Sequence, residues 1–138
     1  MKTLIVFIFG VFMIAGAIAQ EATQTASGPE ITFSETEFQF GDIHQGDKVE
    51  HVFAFENTGT EPLIITNVQT TCGCTAPNWP RDPIAPGQSS EIKVVFNSTG
   101  KMGMQRKVIT VISNAVSPSA KLMIVSNVLP KVAEESGK

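Results

Sequence analysis

Little in this sequence can carry conventional catalytic chemistry. Its 138 residues include only two histidines, two cysteines and one tryptophan. With His44 and His51 alone, a hydrolytic triad has few options, and no serine sits in a nucleophile-elbow sequence. There is no glycine-rich loop to cradle a phosphate. Structural zinc takes four ligands, which two cysteines and two distant histidines supply poorly. Basic residues are scarce and scattered, with only Lys101, Arg106 and Lys107 close together. A nucleic-acid or anionic-membrane surface needs a basic patch, so neither partner is expected. No window sustains an apolar repeat at helical spacing, which argues against a helical or α/β fold.

No apolar run reaches the 18 or more residues of a membrane span either. The longest, "LIVFIFGVFMIAGAIA" from Leu4 to Ala19, is 16 residues; it follows the positive Met1-Lys2-Thr3 and ends in the small-x-small pattern Ala17-Ile18-Ala19. This is the form of a secretory signal peptide, so residues 1–19 are expected to be removed on export, to the periplasm or the medium, with no membrane insertion afterwards. Cleavage takes Lys2 with it and leaves 119 residues, with 9 of the 10 basic residues against 13 acidic and a net charge of −4. That length suits one domain with its own core.

Residues 20–29, "QEATQTASGP", are small and polar and read as a flexible leader; "KVAEESGK" (131–138) reads as a flexible tail. Between them, residues 30–130 show short Val-, Ile-, Phe- and Thr-rich segments broken by turn signals every 8–12 residues or so, the spacing of an all-β sandwich. Seven strands are expected. Ile31–Phe40 forms a pair of edge pieces, followed by Lys48–Asn57, Leu63–Thr71, Glu91–Asn97, Gln105–Asn114 and Ala120–Pro130. Period-two alternation names the core as Phe38, Phe40, Phe53, Phe55, Ile64, Ile92, Val94, Phe96, Ile109, Val111, Leu122 and Ile124. Val108 and Ile112 give the Gln105–Asn114 strand a second apolar face, as in a central strand buried on both sides. Glu35, Glu37, Glu50 and Glu56 alternate as a solvated face does.

Both cysteines fall in "VQTTCGCTAPNWP", together with Trp79. Residues i and i+2 of a strand lie about 6.6 Å apart on one face, slightly beyond the usual 5.5–6 Å or so of disulfide-linked Cα atoms. Cys72 and Cys74 are therefore parallel thiols if extended, or a small ring if Gly73 bends the backbone. Three readings stand open. Cys72 packs inward and Cys74 is partly exposed or bonded to it. Alternatively, the pair binds soft copper(I), aided by Met102 and Met104 and by His44 and His51. Or the pair exchanges disulfides, although such enzymes more usually space their cysteines by two residues at a helix start. His51 shares the phase of Phe53, which fits an edge histidine better than a base. Trp79, between Asn78 and Pro80, fits a plug over the sandwich end.

"FQFGDIHQGDKVEHVFAFENTGTEPLIITNVQTTCGCTAP" and "IAPGQSSEIKVVFNSTGKMGMQRKVITVISN" resemble the domain-of-unknown-function family 1573. Its markers here are Asn57-Thr58-Gly59, Cys72-Gly73-Cys74-Thr75, Pro86-Gly87 and Ser113-Asn114, and the likeness covers about Phe38 to Val128. It implies an exported, bacterial, immunoglobulin-like β-sandwich akin to the Hydin and major-sperm-protein group. It brings no enzymatic role and none for the cysteines. The expectation is a non-catalytic, monomeric binding or scaffolding module without a cofactor. It would contact an envelope or secreted protein by strand addition or through its end loops, with Cys72, Gly73, Cys74 and Trp79 as binding-loop candidates.

Overall fold

A computed structural model describes residues 27–133. It contains eight strands: β1 (Ile31–Phe33), β2 (Glu37–His44), β3 (Lys48–Asn57), β4 (Ile65–Thr70), β5 (Thr75–Asn78), β6 (Ser89–Asn97), β7 (Gly103–Ser113) and β8 (Ser119–Leu129). They form two four-stranded sheets, ordered β1-β3-β6-β5 and β2-β8-β7-β4. All pairs are antiparallel except β2–β8, which is parallel. The architecture is the expected immunoglobulin-like sandwich, with one strand more than the sequence pattern suggested. The addition is β5, hidden in the segment expected to be a loop.

Three slips of the period-two pattern explain the departures from regular strands. Ile31 and Phe33 are odd-numbered, whereas Phe38 and Phe40 are even. One straight strand could not point all four at one core. The chain leaves the first sheet after β1, crosses over Ser34–Thr36 and resumes as β2 in the second, so all four side chains pack against the core. The phase slips again between Phe40 and Ile43, and a bulge between Gln39 and Gly41 absorbs it, with Gly41 at φ 73°. The third slip separates Leu63 and Ile65 from Val68, with a shift between Ile65 and Asn67.

This last slip corrects one core assignment. Ile64 is 38% exposed, while Leu63 is fully buried and exchanges both backbone hydrogen bonds with Ile84. Leu63 is not among the expected core residues; those that are buried are Phe53, Phe55, Ile92, Val94, Phe96, Ile109, Val111, Leu122 and Ile124. Phe38 and Phe40 are half-buried against them. Each fully buried apolar side chain is worth about 1.5–3 kcal/mol. β7 is central in its sheet, but its second face, with Val108 and Ile112, is half-exposed rather than buried.

The end of the sandwich where β3 finishes is organised by Asn57, a fully buried polar residue. Its amide nitrogen donates to the carbonyls of Glu61 (2.8 Å) and Ile84 (2.9 Å), and its side-chain oxygen accepts from the N–H groups of Glu30 and Gly59. Its backbone bonds Gln88 and Gly87. Every donor and acceptor of this residue is thus used. Gly59 sits so close to residues 28–30 that a Cβ there would lie 2.2 Å from the Gly28 carbonyl oxygen. Gly28 and Pro29, grouped with the leader by composition, are buried and hydrogen-bonded to Thr60 and Val116. They belong to the domain. The signal-peptide segment, the remaining leader up to residue 26 and residues 134–138 lie outside the described residues.

Candidate functional site

At the opposite end, β4 hands over to β5 through Thr71-Cys72-Gly73-Cys74. Cys72 and Cys74 are joined by a disulfide, with their Cα atoms 5.3 Å apart. Gly73 is exposed and does not enter the left-handed region, so the bend does not use that freedom of glycine. The Thr70 hydroxyl donates to the carbonyls of Cys72 (2.9 Å) and Thr75 (3.3 Å). The Thr75 N–H reaches the Cys72 carbonyl at 3.4 Å, and the Asn97 N–H donates to the Cys74 carbonyl at 2.9 Å. Thr75 is buried, its hydroxyl 3.8 Å from the Cys72 sulfur and 4.0 Å from that of Cys74. Sulfurs bonded to one another offer no thiolate to a metal.

Trp79 is not at this end. About five residues of extended chain, roughly 16 Å, separate it from Cys74. Its indole packs against the core, and the Arg81 guanidinium lies 3.9 Å above the ring. Its buried Nε1 has no hydrogen-bond partner among the described residues. The four binding-loop candidates therefore divide between a turn and a core plug, joined by a strand.

The copper candidates divide too. Met102 is 52% exposed and Met104 64%, the latter opposite Asn127 on the outer face of its sheet. His44 is exposed at the end of β2. His51 points inward from β3, stacked on Phe38 (3.6 Å between centroids), with Nε2 2.6 Å from a Glu35 carboxylate oxygen. Among the described residues, no three His, Cys, Asp or Glu side chains gather as a metal site would require.

A feature missed in the sequence lies along the strand edges. The Asn57 N–H donates to Gln88, beside β6, so the odd-numbered residues of β3 turn their backbone groups toward β6 and the even-numbered ones away. On that outward side β1 pairs only with Phe55–Asn57, and Ser34 bonds Ala54. The N–H and C=O groups of Lys48, Glu50 and Val52 are left facing outward with no bonded neighbour among the described residues. The edge of β5 is closed by contrast. Pro77 turns its nitrogen outward and has no N–H, and the outward groups of Thr75 are held by Cys72 and Thr70. The odd-to-even switch within "ITFSETEFQF" was the available signal, because a chain that must change sheets leaves part of β3 uncovered.

Two four-stranded sheets with a split first strand define an immunoglobulin-like β-sandwich. The chain belongs to DUF1573, a family of proteins of unknown function whose model matches residues 31–128. No curated protein sequence matches it. Among solved structures, it is similar to a protein of unknown function from Porphyromonas gingivalis W83, with 19% identity and TM-score 0.64 over 79% of this chain and 51% of that one. It thus spans about half the length of that protein. It is also similar to the ASH / PapD-like domain 7 of human CEP192, with 10% identity and TM-score 0.63 over 88% of this chain and 99% of that domain. The YadV chaperone matches with 16% identity and TM-score 0.53, over 70% of this chain and 51% of its own. These likenesses establish the fold.

Proposed function

We propose that this protein is an exported, non-catalytic binding module that takes an extended segment of an envelope or secreted protein as an added strand along β3. The open backbone groups of Lys48, Glu50 and Val52 carry the reading. They recur at every second residue, the repeat at which a neighbouring strand supplies complementary donors and acceptors. The half-buried Phe38, Phe40 and Val49 beside this edge offer apolar surface to the inward side chains of such a segment. Export rests on the Met1–Ala19 pattern. Support for a binding role in general comes from the immunoglobulin-like fold and from membership of a family without an assigned function.

The test is cross-linking in an envelope extract, identification of the captured segment, and its binding as a synthetic peptide to wild type, Glu50→Pro and Trp79→Ala. A proline at Glu50 removes a donor that has no partner inside the domain. The expected result is loss of binding in Glu50→Pro and its retention in Trp79→Ala. Equal binding by Glu50→Pro and wild type would rule out the β3 edge; loss only in Trp79→Ala would return the contact to the Cys72–Pro80 segment.

A further inference from the structure

We propose that Cys72–Cys74 is a reducible couple, opened by a dithiol, whose state sets whether the edge of β5 is closed. The inference is independent of strand addition at β3.

Three observations lead to it. First, the bond spans a single residue. The gain from restricting the unfolded chain grows with loop length, so this ring does little for global stability. Second, both cysteines are half-exposed at a corner of the sandwich, within reach of a solvent-borne thiolate. Third, the ring holds the turn that satisfies the outward edge of Thr75. The Cys72 carbonyl accepts from both the Thr70 hydroxyl and the Thr75 N–H, and the Thr70 hydroxyl reaches on to the Thr75 carbonyl.

The exchange proceeds in two displacements. One thiolate of the dithiol attacks a cysteine sulfur, forming a mixed disulfide and releasing the other cysteine as a thiolate that takes up a proton. The second thiolate of the reductant then attacks its own sulfur in the mixed disulfide. The second cysteine is released and protonated, and the reductant departs as its cyclic disulfide. Two electrons and two protons pass to the protein. Separate sulfurs must then move apart to van der Waals distance. The turn is free to widen at Gly73, where even an added Cβ would meet no atom within 4 Å. At 3.4 Å, the Thr75 N–H to Cys72 bond is the longest of the turn and the first to open.

The experiment is amide exchange by NMR on the native protein with and without dithiothreitol, with thiols counted by alkylation and mass spectrometry. Ala76 and Asn78, whose N–H groups face β6, serve as internal references. Both thiols should appear in folded protein, with exchange at Thr75 accelerated about tenfold or more as the turn opens locally. A Cys72→Ser, Cys74→Ser double variant should show the same acceleration without reductant. A disulfide that resists dithiothreitol until denaturant is added would overturn the proposal. So would unchanged exchange at Thr75 in fully reduced wild type, which decides the matter even if the variant fails to fold.

Discussion

The two flanks of this sandwich treat their exposed edges in opposite ways. At the edge of β5 a proline without an N–H and a disulfide turn that holds the outward groups of Thr75 blunt the backbone against newcomers. On the other flank β1 covers three residues of β3 and then departs, leaving Lys48 to Val52 open. Unpaired edges invite aggregation, and proteins normally blunt them. The contrast between a blunted β5 edge and a bare stretch of β3 is what the proposed strand addition at β3 rests on. Its inward-pointing His51, paired with Glu35, and its outward Lys48 and Glu50 limit indiscriminate pairing.

Breaking what both flanks depend on should have the largest effect. Asn57→Ala would strand two N–H groups and two carbonyls at the end where β3 finishes, with an expected loss of about 3–5 kcal/mol in urea unfolding, given roughly 1–3 kcal/mol for each unsatisfied buried group. A loss under about 1 kcal/mol would mean water replaces the amide. Gly59→Ala comes next, at about 2–4 kcal/mol, because its Cβ meets backbone that cannot swing away. Glu50→Pro should cost only about 1 kcal/mol, since no ladder bond is lost there, while His51→Pro should cost roughly 3 kcal/mol or more through a lost bond to β6. Equal costs for the two prolines would show that the outward phase is wrong. Smallest of all, Pro77→Val should change stability by no more than about 0.5 kcal/mol. Sedimentation should nevertheless detect weak self-association, because the β5 edge regains a donor.

How much of this was legible beforehand follows from where the alternation held. β3, β6 and the inner face of β7 keep strict period two, and every core residue named there is buried. Ile64 failed because the bulge after Ile65 reverses the phase, and no residue type announces a bulge without glycine. β5 was missed because four residues containing a proline look like a loop; only the partner strand β6 makes them a strand. Spacing leaves the cysteines as either extended parallel thiols or a ring bent at Gly73, because the bend depends on the hydrogen bonds of Thr70 and Thr75 rather than on residue type. Trp79 was legible as a plug but not as remote from the cysteines, since that depended on the unseen β5. The open edge is a property of pairing, which spacing alone expresses only through the odd-to-even switch.

The parallel pairing of β2 with β8 has a mechanical consequence. The chain enters the domain at Gly28, beside Asn57, and leaves after Leu129 at the far end, next to the β2–β3 turn. A pull between those two points draws β2 and β8 past each other along their length, so their shared hydrogen bonds bear the force together rather than unzipping one by one. A domain tethered at one end and loaded at the other would resist extension through this pairing, once the three β1–β3 pairs that the chain meets first have given way.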